Sequence, residues 1–303
     1  MGIKITTNKE HTFDHAPFIV PPGSKILLKD YSPGYTGDLK SKKEGKAALM
    51  EDVSRLAEAQ TVLWASAQKS VLIIFQAIDA AGKDGAIKHV MSGVNPQGVS
   101  VYSFKAPNEE ERSHHFLWRF IRKMPARGRI TIFNRSYYEE VLVVRIHPEF
   151  LESQHLSTET RKLPLEKLWP VRYNAINAFE KMAHDQDTCV IKFFLNVSKE
   201  EQKKRFMKRL NDPEKNWKFS ADDLKERKHW DKYRQAIEDM LNATSSNISP
   251  WHIIPADNKW FARAAIADII TSRIREMNLT FPKATAEQLK NLDIARKALE
   301  NEK

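Results

Sequence analysis

Ser70-Val71-Leu72-Ile73-Ile74-Phe75-Gln76 runs without a break into Ala77-Ile78-Asp79-Ala80-Ala81-Gly82-Lys83-Asp84-Gly85-Ala86-Ile87-Lys88. The first seven residues are a nearly continuous apolar run, as expected of a strand covered on both faces in a parallel sheet. The Gly-Lys pair that follows, between this strand and a predicted helix, is the core of a Walker A phosphate loop. The chemistry explains the form. Backbone N–H groups and a helix N-terminus cradle phosphate oxygens, glycine lets the main chain approach, and lysine brings a point charge. The expected phosphate-contacting set is Ala80, Ala81, Gly82, Lys83, Asp84, Gly85 and Lys88.

The loop departs from the usual pattern at two places. Ala77 stands where the first glycine belongs, and Asp84 where a Ser or Thr hydroxyl normally reaches Mg²⁺. Asp79 is a carboxylate among phosphates, which it repels unless a cation lies between them. It is therefore expected to hold Mg²⁺ in place of the missing hydroxyl, with loop capping as the plainer alternative.

Outward from the loop, strand and helix patterns alternate. Strands are expected at Val99 to Phe104, Ile130 to Phe133, Val190 to Leu195 and Trp251 to Ile254. Helices are expected at Lys43 to Gln68, Asn108 to Lys123, from Pro164 to His184, Ser198 to Leu210, Asp222 to Ala243 and Asn258 to Met277. Ser198 followed by Glu201 reads as a capping box. Such alternation predicts a parallel α/β sheet with helices on both faces. Residues 1 to 40, punctuated by Pro21-Pro22-Gly23 and Ser32-Pro33-Gly34, read as an arm that wraps the domain. Residues 41 to 280 read as one phosphotransferase domain. The polar segment 281 to 303 reads as a helical tail, solvated or in contact with another subunit of a homo-oligomer.

The net charge of +10 suits a polyanionic partner. No stretch reaches the roughly 20 apolar residues needed to span a membrane, and no signal peptide pattern opens the chain. Cys189 is the one cysteine, so no internal disulfide is available. A cytoplasmic enzyme is expected.

Two further motifs carry chemistry. The third strand leads into Asn134-Arg135-Ser136-Tyr137-Tyr138-Glu139-Glu140, where Arg135 suits bidentate phosphoryl binding. Glu139 and Glu140 read as metal or nucleotide ligands, or as carboxylates that merely open a helix. The segment Lys203 to Phe219 holds seven basic residues against two acidic. Arg205 and Arg209, four apart, share a helix face. Asn211-Asp212-Pro213 breaks that helix into a loop bearing Lys215, Trp217 and Lys218. This suits a lid over phosphates, at about 203 to 235. Arg119 to Arg129, with five basic residues and no acidic one, reads either as a polyanion channel or as a basic surface turn.

Together these motifs resemble the polyphosphate kinase type 2 family, from about Leu28 to Met277. Asp79 to Gly85, Phe133 to Ser136, Asn211 to Phe219 and Ile254-Pro255-Ala256-Asp257-Asn258-Lys259-Trp260 carry the resemblance. It implies a P-loop kinase-like three-layer sandwich with a five-stranded parallel sheet and a helical lid. It also implies Mg²⁺-dependent transfer between inorganic polyphosphate and adenine nucleotides, with Mn²⁺ as a substitute ion and guanine nucleotides as further acceptors. Asp79, Lys83, Asn134, Arg135, Glu139, Arg205 and Arg209 are then the expected catalytic residues. Asp79, Glu139 and Glu140 are the metal candidates, and Lys215 and Lys218 join the phosphate-binding set. Many relatives carry Asp where this chain has Asn134. Asn134 with Glu139 and Glu140 is similar to the subgroup that phosphorylates both AMP and ADP, class III. An ATP-dependent nucleoside monophosphate kinase is the first rival. A basic nucleic-acid-binding protein is the second, but no recognition motif supports it, and neither nucleic acid nor a membrane is expected as a partner.

Overall fold

The computed structural model describes residues 13–302, with Lys218 described by its backbone only. Five strands form one parallel sheet: β1 (Ser70–Gln76), β2 (Val99–Ser103), β3 (Ile130–Asn134), β4 (Thr188–Asn196) and β5 (Trp251–Pro255). Their order is β2-β3-β1-β4-β5. In β1, Val71, Ile73 and Phe75 enter one core while Leu72 and Ile74 enter the other. Burial on both faces is why the strand reads as an apolar run rather than an alternation.

One face is covered by α1 (Lys42–Ser66), α2 (Lys83–Val90) and a long helix after β5; the other by α3 (Leu165–Asp185) and a helix that precedes β5. Between β4 and β5 lie α4 (Lys199–Leu210), α5 (Ala221–Lys228) and α6 (Trp230–Thr244), and α7 (Lys259–Arg275) follows β5. The three-layer expectation holds. Helix α8 (Ala286–Glu300) closes the described chain and is exposed throughout. Gly45 of α1 lies against Trp260, where an added Cβ would stand 2.2 Å from the ring. That close approach is what glycine permits there. At Ile19 and Val20 the N-terminal segment runs beside β5. The Val20 N–H donates to the Trp251 carbonyl at 2.9 Å, and Ile19 bridges His252, covering what would be an open sheet edge.

Two expected helices are divided. Asn108 to Lys123 becomes Glu109–Ser113 and Trp118–Ile121. The His114 ring bonds the Glu110 carbonyl, and the His115 ring accepts from the Leu117 N–H, so side chains displace the helical ladder between them. Asp222 to Ala243 divides at His229 into α5 and α6. No described helix is long and apolar enough to cross a membrane.

The turn after β3 is anchored by a buried ion pair. The Lys192 ammonium of β4, fully buried, donates to Glu180 of α3 at 2.6 Å and to the Thr244 carbonyl at 2.6 Å. Glu180 also accepts from the Tyr137 and Tyr138 hydroxyls at 2.8 and 2.6 Å. Lys192→Met strands a buried carboxylate, and we expect a loss of about 3–5 kcal/mol in urea unfolding. Adding Glu180→Leu should recover part of it; a single variant as stable as the parent would refute the anchoring role.

Candidate active site

The carboxyl ends of the strands lie along one edge of the sheet, where parallel α/β folds place their ligands. There β1 turns through Ala77–Gly82 into α2. Ala80 and Gly82 adopt positive φ, +60° and +109°. Only glycine takes the second readily. Gly82 caps α2 without a side-chain bond, leaving the first-turn amides for an anion. The Lys83 ammonium is 9% exposed and donates to the Ala77 carbonyl at 2.9 Å, across the loop. Burial, and then the Arg135 charge, push its pKa below the ordinary lysine value.

Arg205 is placed differently from a mobile lid residue. It is 6% exposed and donates to the carbonyls of Ala80, Ala81, Ala256 and Asp257 and to Glu201. It ties the phosphate loop to the end of β5. This also halves the expected capping box. Ser198 accepts from the Glu201 N–H at 3.1 Å, but the Glu201 carboxylate goes to Arg205 and the Ser198 N–H to Asp257.

Next to the loop, Arg135 leaves β3 with φ +65°, strained for a non-glycine residue. Its guanidinium meets Asp79 at 3.0 Å. Burial works against the charge, but Glu139, Asp79 and Asp223 outweigh it and raise the pKa. Asn134 donates to Asp84 at 2.8 Å, while its Oδ1 is buried with no hydrogen-bond partner among the described residues. Glu139 accepts from Gln76 at 2.6 Å. Glu140, expected beside the metal, is held elsewhere. It is buried against Arg172 at 2.7 Å, behind the turn and away from the loop.

Two chambers meet at Asp79, Arg135 and Asp223. The larger, of about 730 Å³, is cationic, with Lys83, Arg205, Arg209, Lys259 and Arg263 in its wall. Lys215 and the 77% exposed Trp217 stand at its rim. The smaller, of about 300 Å³, carries Leu142, Val143, Phe150, Trp230 and Ile237 together with Glu139. Lys88 is exposed and lines neither, and the Lys218 side chain lies outside the described residues. Of the basic stretch Arg119 to Arg129, none lines the chambers. Arg122 stacks on Trp118, Lys123 on Tyr102 and Arg129 on Trp64.

Lys208, Asp223, Lys259 and Arg263 were not expected in the site. Lys259 opens α7 directly after β5, and its place at the carboxyl end of a parallel strand is the signal that could have found it.

Arg205→Lys keeps a charge but loses the fork that holds four carbonyls. We expect kcat to fall about a hundredfold from a displaced loop, with donor KM changed far less. The opposite pattern in steady-state kinetics would make Arg205 a simple phosphate contact. Burial, then Arg205, push the Lys259 ammonium down to about 8. Its charge is present below that pH and lost as pH rises through it. Tripolyphosphate affinity, measured by calorimetry, should weaken across that window by about tenfold, the worth of one charge-assisted hydrogen bond. Lys259→Met should flatten the change.

Comparison with known proteins agrees with this geometry. The model of the family described as Polyphosphate kinase 2 matches residues 39–282. An ADP-polyphosphate phosphotransferase of Rhodopseudomonas palustris is 46% identical over 275 residues, 91% of this chain and 94% of the relative. An AMP/ADP-polyphosphate phosphotransferase of Meiothermus ruber is 38% identical over 267 residues, 87% and 94% of the two chains. Among solved structures, Polyphosphate Kinase 2 from Arthrobacter aurescens superposes with a TM-score of 0.81 at 40% identity, covering 92% of this chain and 95% of that one.

Proposed function

The chain belongs to the polyphosphate kinase 2 family, and we propose that it moves a phosphoryl group reversibly between inorganic polyphosphate and AMP or ADP. The observation that carries this is the pair of unequal chambers joined at Asp79 and Arg135. A large cationic chamber suits a polyanion, and a smaller, largely apolar one suits a nucleoside. The family match disfavours the ordinary nucleoside monophosphate kinase. The relatives' names support both acceptors.

The two chambers share Asp79, Arg135 and Asp223 in their wall, which suits direct, in-line transfer from one to the other. Arg135 and Lys83 orient the transferring group and stabilise its charge, and Arg205 supplies a fixed positive field without moving. Asp79 aligns Arg135 through their 3.0 Å pair. The apolar wall excludes water from the acceptor oxygen.

Mg²⁺ fits this donor set. Asp79, Asp84 and the unpartnered Oδ1 of Asn134 are hard oxygen donors on the phosphate side. The described residues form no cluster of three or more His, Cys, Asp or Glu that could hold a metal unaided, in keeping with an ion that takes one or two carboxylates and completes its shell with substrate phosphates and water. When bound, the ion neutralises charge on the phosphates; Mn²⁺ suits the same oxygens. Glu140 leaves the metal set, because Arg172 holds it.

Glu139 faces the smaller chamber and is the carboxylate placed to organise an acceptor with a single phosphate. Incubation of the protein with polyphosphate, Mg²⁺ and AMP, ADP or GDP tests the function directly. ADP and ATP should form from AMP, and Lys83→Ala or Asp79→Asn should lose orders of magnitude in rate while staying folded. Glu139→Gln should damage the AMP reaction more than the ADP reaction. An unchanged ratio would reduce Glu139 to a turn residue. Absence of product with any nucleotide would overturn the function itself.

A further inference from the structure

A third cavity, of about 190 Å³, opens behind the turn that carries Glu139, between Glu109–Ser113, Trp118–Ile121 and α3. Its wall holds three guanidiniums, Arg112, Arg119 and Arg172, and three imidazoles, His114, His115 and His155. Arg119 and Arg172 form the floor, their side chains 9% and 3% exposed. The imidazoles form an exposed rim.

The charges of this wall do not balance. Its carboxylates are Glu111 and Glu140. Glu111 pairs with Arg119 at 3.2 Å and Glu140 with Arg172 at 2.7 Å. Arg112 has no ion pair among the described residues. The Arg119 Nε is buried with no hydrogen-bond partner, an unused donor where such groups are seldom left idle. Burial, and then the Arg172 charge, hold the His115 pKa below the ordinary histidine value, as expected in a cavity with surplus positive charge. The size narrows the ligand. The volume equals roughly six waters' worth of liquid and falls below the roughly 300 Å³ at which organic-ligand pockets begin. A nucleotide is too large, whereas a phosphate fits.

We propose that this cavity is a second anion site, which binds a small phosphate oxyanion (orthophosphate or pyrophosphate) and transmits its presence to both catalytic chambers. The contacts for transmission are in place. Arg119 donates to the Lys105 carbonyl at 2.9 Å and lies over the Phe104 ring, and both residues line the cationic chamber. Arg172 donates to the backbone carbonyl and the carboxylate of Glu140, at 3.0 and 2.7 Å, one residue from Glu139 in the acceptor chamber. An oxyanion drawing on Arg119 and Arg172 competes with Lys105, Glu111 and Glu140, and so loosens one wall of each chamber.

The histidines provide a local probe, because no histidine among the described residues lines the cationic chamber. Imidazole ¹⁵N signals of the full chain would be followed against pH at increasing orthophosphate, with chloride matching the ionic strength. A bound anion favours imidazolium, so the His115 pKa should rise saturably by about one unit, a tenfold gain in proton affinity. The rise should persist in Lys83→Ala and disappear in Arg112→Ala and in His155→Ala, both folded by their melting curves and both with ordinary rates when phosphate is absent. In the parent, orthophosphate should also change the AMP KM in a part that Arg112→Ala removes. No saturable rise, an equal rise in chloride alone, or a rise lost in Lys83→Ala but kept in Arg112→Ala would each overturn the site.

Discussion

The guanidinium of Arg205 is the bond on which the site depends. It joins carbonyls of the phosphate loop, Ala80 and Ala81, to carbonyls at the end of β5, Ala256 and Asp257, and it is braced by Glu201 of its own helix. It fastens the loop after β1 directly to the strand two places away in the sheet, at their carboxyl ends. Gln202, one turn earlier, adds a bond to the Asp79 carbonyl at 3.0 Å. Helix α4 thus acts as a fixed strut over the loop. The charge of Arg205 lies in the wall of the cationic chamber, held in place by these bonds.

This arrangement crowds cations. Lys83 is held below its ordinary pKa by burial and by Arg135, and Lys259 and Arg263 are held below theirs by burial and by Arg205. Each is partly desolvated, and each has another cation near it. A bound polyanion would offset this mutual repulsion. The fold gathers these charges from α2, α4 and α7, which converge on the carboxyl edge of the sheet although they lie far apart in sequence.

How far the sequence disclosed this follows from the range of each interaction. Local signals were legible: the apolar run of β1, the Gly-Lys turn into α2, and Asp79 and Arg135 as neighbours at its end. The division of Asn108 to Lys123 was not, because the His114 and His115 rings compete with the backbone only in a geometry that the three-dimensional chain supplies. Arg205 and Arg209 share a helix face, as their spacing requires, yet one is buried against backbone carbonyls while the other pairs with Asp223 at 3.4 Å. Helical spacing gives direction but not partners. Lys259 and Arg263 entered the site through the placement of β5, a long-range fact. The basic stretch Arg119 to Arg129 left a channel and a surface turn equally open, because composition cannot show that Arg122, Lys123 and Arg129 lie over aromatic rings away from the chambers.

The adjacent carboxylates Glu139 and Glu140 show how a distant contact can decide a local role. They follow one another in a 3₁₀ turn, where successive side chains diverge by about 120°, so only one can face the acceptor chamber. Which one is fixed two residues earlier. Tyr137 and Tyr138 are fully buried, and their hydroxyls both bond Glu180, which Lys192 holds from β4. Rotating the turn to exchange the two glutamates would strip a buried carboxylate of two hydrogen bonds and expose two aromatic rings. That costs far more than either glutamate gains from its own partner. The ion pair beneath the sheet therefore turns Glu139 toward the smaller chamber and leaves Glu140 for Arg172.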